Sequence, residues 1–499
     1  MQLQFHKTEI SCLQQVKWDV QNQEQTQEIR IGDGMPDIGR VLGAWGQVLL
    51  RSKEWYHGSV TVSGGVMVWV LYIPEEGGTP QCVDAWIPFQ TKLDIEDADR
   101  EGTLRVSAVL RNADARSISA RKMMLRVSVG VLTEAFSAME QDIYSPGELP
   151  EDVEILKNTY PLLLPAEAGE KPFLIDEELS MQSGANPVKL MRYSLTPEIL
   201  EKSVMVGKLL FRGTAIVHLL CCGEDGRLYS QDLEVPFSQF GDLEGEYEKD
   251  TPVDIMPCVT SLEVELLPDG KLHLKAGATA QYVLYKRPLV EVVEDAYSNK
   301  RQVTPVMESL QLPAVLDMES QNLRVEQAGE AEASQIADVA FLMNQPRMVS
   351  GENVAETELS GQFQTLYYNN NGEPEMITPH WEQSKVNITD SSGRVTATVM
   401  PAGKPAASLN GGTVTMTGQM TVNTVTTATK GIPVVTALEL GEATEENPNR
   451  PSLILRRAGE ERLWDVAKCC NSTVGAIMEA NHLQGEPDSE QMLLIPVVF

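Results

Sequence analysis

Alternation of apolar and polar residues with a period of two dominates most of this chain. The runs 59–73, 262–275 and 413–427 alternate in this way and are rich in β-branched residues, which is typical of β-strands. Within the second run, Asp269-Gly270 separates two alternating halves and predicts a hairpin, because this turn needs positive φ angles. Convincing helical periodicity is confined to short pieces before Trp464. The pattern predicts a mainly β protein.

A larger motif recurs three times along the chain. Each copy has a glycine that begins an apolar strand, then a turn with glycine and acidic residues or asparagine, then an aliphatic-Pro-aromatic step. The copies are Gly64 with Ile87-Pro88-Phe89, Gly213 with Val235-Pro236-Phe237, and Gly361 with the degenerate step Thr378-Pro379-His380. Repeats of about 110–130 residues are too large for solenoid units, so each is expected to be a β-sandwich or open barrel.

The composition between the copies predicts the domain boundaries. Residues 137–175 are rich in Pro and Glu and are expected to be a linker, as are residues 441–452. The predicted domains are three β-domains and a small C-terminal module, at residues 1–136, 176–305, 306–440 and 453–499.

The C-terminal module follows a different pattern of strand, helix, helix and strand. It resembles a LysM domain through Gly459, Leu463, Trp464, Val466, Ala467, Asn471, Thr473, Ile477, Ala480, Asn481, Leu483, Leu494, Ile495 and Pro496. The resemblance implies a structural core made of Leu463, Trp464, Val466, Ile477, Leu494 and Ile495. We interpret Trp464 as a core residue, with stacking against a ligand as the alternative.

The loops of this module depart from the usual LysM pattern. LysM domains generally bind N-acetylglucosamine-containing glycans in a groove between two loops. Here the first loop is one residue longer, and Glu490 stands where a glycine usually precedes Gln, so its side chain can obstruct close backbone contact. The expected partner- or glycan-binding residues are Gly459, Glu460, Glu461, Arg462, Gly485, Glu486, Pro487, Asp488 and Glu490.

Charge and composition narrow the class of partner. A formal net charge of -31 argues against nucleic acid and anionic lipid, both of which need a positive field. The first residues lack the pattern of a secretion signal, and no apolar run is long enough for a transmembrane segment. The seven cysteines include no CxxC motif and are expected to be reduced. We therefore expect a cytoplasmic protein.

The sequence contains no recognisable catalytic motif. It lacks a GxSxG elbow, a phosphate-binding loop, a dinucleotide fingerprint and an HExxH motif, and its six histidines are scattered. We expect no enzyme activity, cofactor or metal site. A hydrolase that uses undetected carboxylates is the disfavoured alternative.

The whole chain resembles the SipL family of spore coat morphogenetic proteins, which combine SPOCS repeats with a LysM tail. The resemblance is carried by residues 35–42 (MPDIGRVL), the three glycine-strand-turn units and Trp464. It implies a mother-cell protein that is recruited to the forespore surface, helps tether coat material and binds the coat ATPase SpoIVA through its tail. The sequence thus predicts a scaffold, with a cell-wall glycan-binding protein as the alternative.

Overall fold

A computed structural model describes residues 2–96, 101–181, 187–351, 354–388, 393–443 and 451–498 and confirms a mainly β chain. In chain order, the elements are β1 (Gln2–Gln4), β2 (His6–Arg30), β3 (Ile38–Tyr56), β4 (Ser59–Pro74), β5 (Gln81–Asp94), β6 (Gly102–Ser119), β7 (Lys122–Ser145), β8 (Val153–Pro161), β9 (Leu164–Leu179), β10 (Pro187–Met205), β11 (Lys208–Gly223), β12 (Leu228–Asp242), β13 (Val253–Leu266), β14 (Leu272–Lys286), β15 (Leu289–Ser298), β16 (Arg301–Glu330), β17 (Ala333–Met343), β18 (Arg347–Ser350), β19 (Val354–Asn369), β20 (Pro374–Ile377), β21 (His380–Ile388), β22 (Arg394–Asn410), β23 (Thr413–Ala443), β24 (Leu453–Arg457), α1 (Leu463–Cys469), α2 (Val474–Asn481) and β25 (Met492–Pro496).

The strands predicted from alternation are present. The run 59–73 lies in β4, the run 413–427 begins β23, and the run 262–275 forms the β13–β14 hairpin. Gly270 lies in the turn of that hairpin with a φ of +81°, which confirms the predicted turn with a positive φ angle at Asp269-Gly270. Within the described residues, no helix is both long and apolar enough to cross a membrane.

One strand topology occurs three times. In the first unit, β3-β4-β5 form a meander, and β7 pairs with both β2 and β6. The second unit repeats this with β10-β11-β12 and with β14 between β9 and β13. In the third, β19 lies between two interrupted strands, β17 with β18 and β20 with β21, while β23 pairs with β16 and β22. Each unit is a sandwich of two sheets with its own buried core.

The recurring glycines occupy the same place in each unit. Each pairs with an aromatic residue on the next strand, and a β-carbon on the glycine would lie 2.7 Å from that aromatic ring. Such close approach leaves no room for any side chain larger than hydrogen. The pairs are Gly64 with Phe89, Gly213 with Phe237, and Gly361 with Trp381.

The third aromatic position differs from the sequence interpretation. The degenerate step Thr378-Pro379-His380 placed the aromatic at His380, but the buried ring is that of Trp381. The strand is interrupted between β20 and β21 around Pro379, so the aromatic position moves by one residue. A fixed spacing could not show this shift.

The three units pack together around a shared core. The first strand of each meander skips one residue at an equivalent β-bulge, and the skipped residue is buried where the units meet. A bulge redirects a side chain that regular alternation would place elsewhere. The bulged residues are Leu42, Met191 and Ala337, and Leu71, Leu220 and Leu366 on the central strands join the same core.

Buried charges connect the second and third units. Arg192 on β10 donates through Nε to Asp338 Oδ2 on β17 at 3.0 Å, and its Nη2 donates to the same oxygen. His218 lies between Asp338 Oδ1, 2.7 Å from Nε2, and Asp232 Oδ1, 2.6 Å from Nδ1. Burial alone would raise the pKa of Asp338, but Arg192 and His218 outweigh it and lower the pKa to about 2. Burial alone would lower the pKa of His218, but the two carboxylates raise it above its ordinary value.

A second buried cluster connects all three units. The guanidinium of Arg105 on β6 lies 2.5 Å from Glu134 of the same unit and 2.5 Å from Asp254 of the second unit. Asn423 of the third unit donates to the other oxygen of Asp254 at 3.0 Å. These contacts, with the pairing of β1 and β23, join the units into one packed body.

The segment predicted as the first linker forms strands. Residues 137–175 contain the end of β7, all of β8 and most of β9, and Leu162 and Leu164 are buried. β8 pairs with β15 to form a separate two-stranded sheet. Two of the five prolines that suggested a linker, Pro165 and Pro172, lie in β9, an edge strand where a missing N–H is tolerated. Most of the second predicted linker, residues 444–450, lies outside the described residues.

Candidate partner-binding site in the C-terminal module

The C-terminal module is a two-stranded antiparallel sheet, β24 with β25, that carries α1 and α2. Thr473 caps α2, because its hydroxyl accepts a hydrogen bond from the Ala476 N–H at 3.1 Å. The small buried core includes five of the six predicted core residues, namely Leu463, Trp464, Val466, Ile477 and Ile495.

Leu494 is the exception, since 40% of it is exposed. The strand β25 alternates, so Leu493 and Ile495 point into the core and Leu494 points outward. The backbone of Leu494 is instead held by Asn481, whose amide accepts from the Leu494 N–H at 2.7 Å and donates to its carbonyl at 2.6 Å.

Trp464 lies between the module and the two-stranded β8–β15 sheet. Its ring meets Tyr297 edge-on with 4.8 Å between centroids, and its Nε1 donates to Asp295 Oδ2 at 2.8 Å. Lys468 donates to the same carboxylate at 2.7 Å. Burial alone would raise the pKa of Asp295, but the bonds from Lys468 and Trp464 outweigh it and hold the pKa below its usual range. The indole of Trp464 is therefore buried in contacts with residues of the same chain.

The two predicted binding loops are joined by Glu486. Its Oε2 accepts a hydrogen bond from the Leu463 N–H, at the start of α1, at 2.8 Å. The carboxylate therefore caps α1, for which Arg462 provides no side-chain cap. This hydrogen bond links the two predicted binding loops, a contact that the sequence interpretation did not predict.

The other predicted loop residues surround this bridge. Glu461 pairs with Arg456 at 2.5 Å, and Glu490 pairs with Arg457 at 2.7 Å, so both carboxylates point back to β24. Arg462 turns toward Asp465, 3.2 Å away. Pro487 is half-buried, and the remaining predicted positions are exposed: Gly459, Glu460, Gly485 and Asp488.

An apolar surface that the sequence interpretation missed lies on the outer face of the β24–β25 sheet. The signal was present in the sequence as two short runs that are apolar at successive positions, with Leu453 and Leu455 in one and Met492 and Leu494 in the other. Register places these residues on the same face, since Leu455 is paired with Leu494. We call these four residues the ribbon face. All four are exposed, Leu455 by 63%.

Metal binding finds no support in the described part of the chain, where no three His, Cys, Asp or Glu side chains are grouped to hold an ion. The site consists of exposed loops, paired charges and an apolar face. This arrangement suits contact with another molecule.

Comparison with known proteins gives one match, in the first unit. Residues 37–118, which extend from the start of β3 nearly to the end of β6, match the family model described as SipL, SPOCS domain. No curated protein and no solved structure matches the chain. The chain therefore contains a segment similar to the SPOCS domain of SipL, which supports a SipL-like family and a connection with sporulation.

Proposed function

We propose that this chain is a non-catalytic scaffold in spore coat or spore envelope assembly. The observation that carries this proposal is the match of residues 37–118 to the SipL SPOCS domain. The packed body of three similar units, joined by buried charges, suits a rigid support. The protein would act in the mother-cell cytoplasm and be recruited to the forespore surface.

The C-terminal module would provide the contact with a coat morphogenetic partner, the ATPase SpoIVA or an equivalent coat protein. Its α1 side already packs on Asp295 and Tyr297, so a partner must use another side. The ribbon face and the acidic loops are both exposed and adjacent to each other along β24 and β25. Apolar residues at the centre of a contact and charges at its rim are typical of protein interfaces.

Protein binding is favoured over glycan binding by the position of Glu486. Its carboxylate bridges the loops where a sugar would approach backbone groups. A sugar that approached these backbone groups would have to compete with this carboxylate for the first N–H of α1. Titration of the full chain with chitin fragments tests the alternative, since saturable binding would favour a cell-wall function.

The partner contact can be tested with the double variant Leu455→Glu, Met492→Glu. Both side chains are exposed, so the change should leave the module folded while placing two charges on the ribbon face. We expect binding to the purified coat ATPase to weaken by at least about tenfold, as at an interface hot spot. The matched control is Val206→Glu, because Val206 is an apolar residue on the body that is 96% exposed.

Three outcomes decide the proposal. Loss in the ribbon-face variant with retention in the control supports docking through the module. Equal binding by all three proteins would exclude the ribbon face. Full binding by a chain that ends at Arg450 would exclude the whole module as the partner site.

A further inference from the structure

The backbone groups of β24 alternate in direction along the two-stranded sheet of the C-terminal module. The Val497 N–H donates to the Ser452 carbonyl at 3.1 Å, and the Ala458 N–H donates to the Gln491 carbonyl at 2.8 Å. Bonded and non-bonded pairs alternate in an antiparallel ladder, so the even-numbered residues of β24 are the ones that bond to β25. The N–H and C=O groups of its odd-numbered residues therefore point away from β25.

The outer edge of β25 is blocked. Leu494 lies opposite Leu455, and its N–H and C=O groups both bond to the side-chain amide of Asn481, at 2.7 and 2.6 Å. Pro496 has no N–H, so it offers no donor at this edge. Proteins commonly protect a sheet edge in such ways, because an unpaired strand can pair with another strand.

The outer edge of β24 has no such protection. Its outward-pointing residues are Leu453, Leu455 and Arg457, whose N–H and C=O groups have no hydrogen-bond partner within the described part of the chain. Neither a proline nor a β-bulge interrupts this strand. We call the backbone of these three residues the free edge. It presents donors and acceptors in the order that an added β-strand would pair with.

The side chains of the free edge indicate which strand would fit. Leu453 and Leu455 belong to the ribbon face, and Arg457 continues their row beside Met492. A strand added here would place every second side chain on this face, next to these three residues. Apolar side chains suit the two positions beside the leucines. An acidic side chain suits the position beside Arg457, whose guanidinium already pairs with Glu490 at 2.7 Å.

A second copy of this chain fits the free edge less well. Antiparallel pairing of two β24 strands about Leu455 would put Leu453 of one copy beside Arg457 of the other. It would also bring together two chains that each have a formal net charge of -31. The observations favour a strand from a different protein.

We propose that the coat partner adds an extended strand to the free edge of β24, with two alternate apolar side chains on the ribbon face and an acidic one beside Arg457. Main-chain hydrogen bonds would provide affinity, and the alternate side chains would provide specificity. This inference rests on the proposed docking through the module, and it specifies the kind of segment that docks.

Hydrogen exchange at residue resolution tests the free edge directly, with the full chain alone and with an excess of the purified coat ATPase. In the unbound chain the N–H groups of Leu453 and Leu455 face solvent and should exchange quickly. We expect the partner to slow exchange at both by at least about tenfold. The matched control is Met492, whose side chain is also on the ribbon face but whose N–H points from the opposite edge; its exchange should change less.

The variants Leu455→Pro and Leu455→Val separate the edge from the face. Proline removes the outward N–H, a loss that an edge strand tolerates, whereas valine keeps the N–H and has a similar size. We expect Leu455→Pro to bind the ATPase at least about tenfold more weakly than Leu455→Val, because one carbonyl of the added strand loses its donor. If Leu455→Pro does not fold, the exchange measurement on the unchanged chain decides.

Protection of the Leu453 and Leu455 amides in the complex supports strand addition. Binding by the unchanged chain without this protection, or equal binding by the proline and valine variants, overturns it and leaves docking through the ribbon face in place. Failure of the unchanged chain to bind the ATPase overturns both the docking and this inference. Protection that appears in the chain alone as its concentration rises overturns the partner strand in favour of a second copy.

Discussion

Replacement of Asp338 by Asn tests the buried charges that join the second and third units. The Asp338 side chain is fully buried, and that of Arg192 is 4% exposed, so the substitution leaves the guanidinium buried beside a neutral amide. Breaking a buried ion pair from one side typically costs about 3–5 kcal/mol. We expect Asp338→Asn to lower the free energy of unfolding by an amount in this range.

The pH dependence of stability gives a second figure, the contribution of the ionised Asp338 carboxylate to the free energy of unfolding. The folded pKa of Asp338 is about 2, against an ordinary value of 3.8. A depressed pKa stabilises the folded state above the unfolded value, and this contribution is lost as the pH falls from about 4 to 2. At 1.36 kcal/mol for each pKa unit, the loss is about 2 kcal/mol. It is smaller than the cost of the substitution because both oxygens of a protonated carboxyl can still accept hydrogen bonds from Arg192 and His218, whereas the NH₂ group of Asn cannot accept.

Urea unfolding followed by tryptophan fluorescence, with hydrogen exchange to locate the change, is the suitable assay. The double variant Arg192→Met, Asp338→Leu is the control, since replacing both partners with apolar residues of similar volume is often nearly neutral. A cost below about 1 kcal/mol for Asp338→Asn would show that the ion pair does not hold the units together. A double variant as unstable as the single variant would show that the unpaired charge of Arg192 is not the cause of the loss.

Further variants test single contacts, each with its own measurement. Gly361→Val would place a β-carbon about 2.0 Å from a carbonyl oxygen of the neighbouring strand, and urea unfolding should show a free energy of unfolding lower by more than about 3 kcal/mol. Gly485 lies in open space, so Gly485→Ala should change the free energy of unfolding by no more than about 0.5 kcal/mol. Asp295→Ala removes the acceptor of the indole N–H and of a lysine from α1, so hydrogen exchange in α1 should quicken; unchanged protection would refute docking through this carboxylate. Glu486→Ala should cost the module about 0.5–2 kcal/mol in thermal unfolding as a lost cap, and a matching loss in the exposed control Glu460→Ala would contradict that assignment.

His218 provides a last test by NMR titration. Its raised pKa means that its stabilising contribution is complete below the ordinary value and is lost as the pH rises through the folded pKa. Removing the Asp338 charge should move the pKa of His218 downward, while Asp232 still keeps one ring nitrogen paired. An unchanged titration in Asp338→Asn would contradict the bridging geometry.

Local patterns in the sequence were enough to predict the class of fold. Alternation predicted the strands, because side chains on a strand point to opposite faces, and Asp269-Gly270 located a hairpin. The recurring glycines indicated a repeated unit, because close approach to an aromatic ring is a local requirement that only glycine meets. The order of elements in the C-terminal module was predicted for the same reason, since the spacing of apolar residues in a helix is local.

Positions that depend on distant partners were not predictable in this way. Leu494 matched a core position in the family pattern, but strand alternation with Leu493 turned it outward. Residues 137–175 had the composition of a linker, yet β9 is an edge strand in which proline costs no hydrogen bond. Glu486 had the appearance of an exposed loop acid, although it caps a helix that begins more than twenty residues earlier.

The sequence by itself therefore determined that the chain is mainly β, that the runs 59–73, 262–275 and 413–427 are strands, and that the C-terminal part carries the helices. Tertiary structure alone decided that the units pack into one body, because Arg192, His218 and Asp338 come from segments that no local pattern connects. It also decided which side of the tail is free, since the partner of Trp464 is Asp295, which lies far away in the chain. Periodicity along the sequence follows from the local geometry of the backbone. The pairing of buried charges depends instead on how sheets from distant parts of the chain pack against one another.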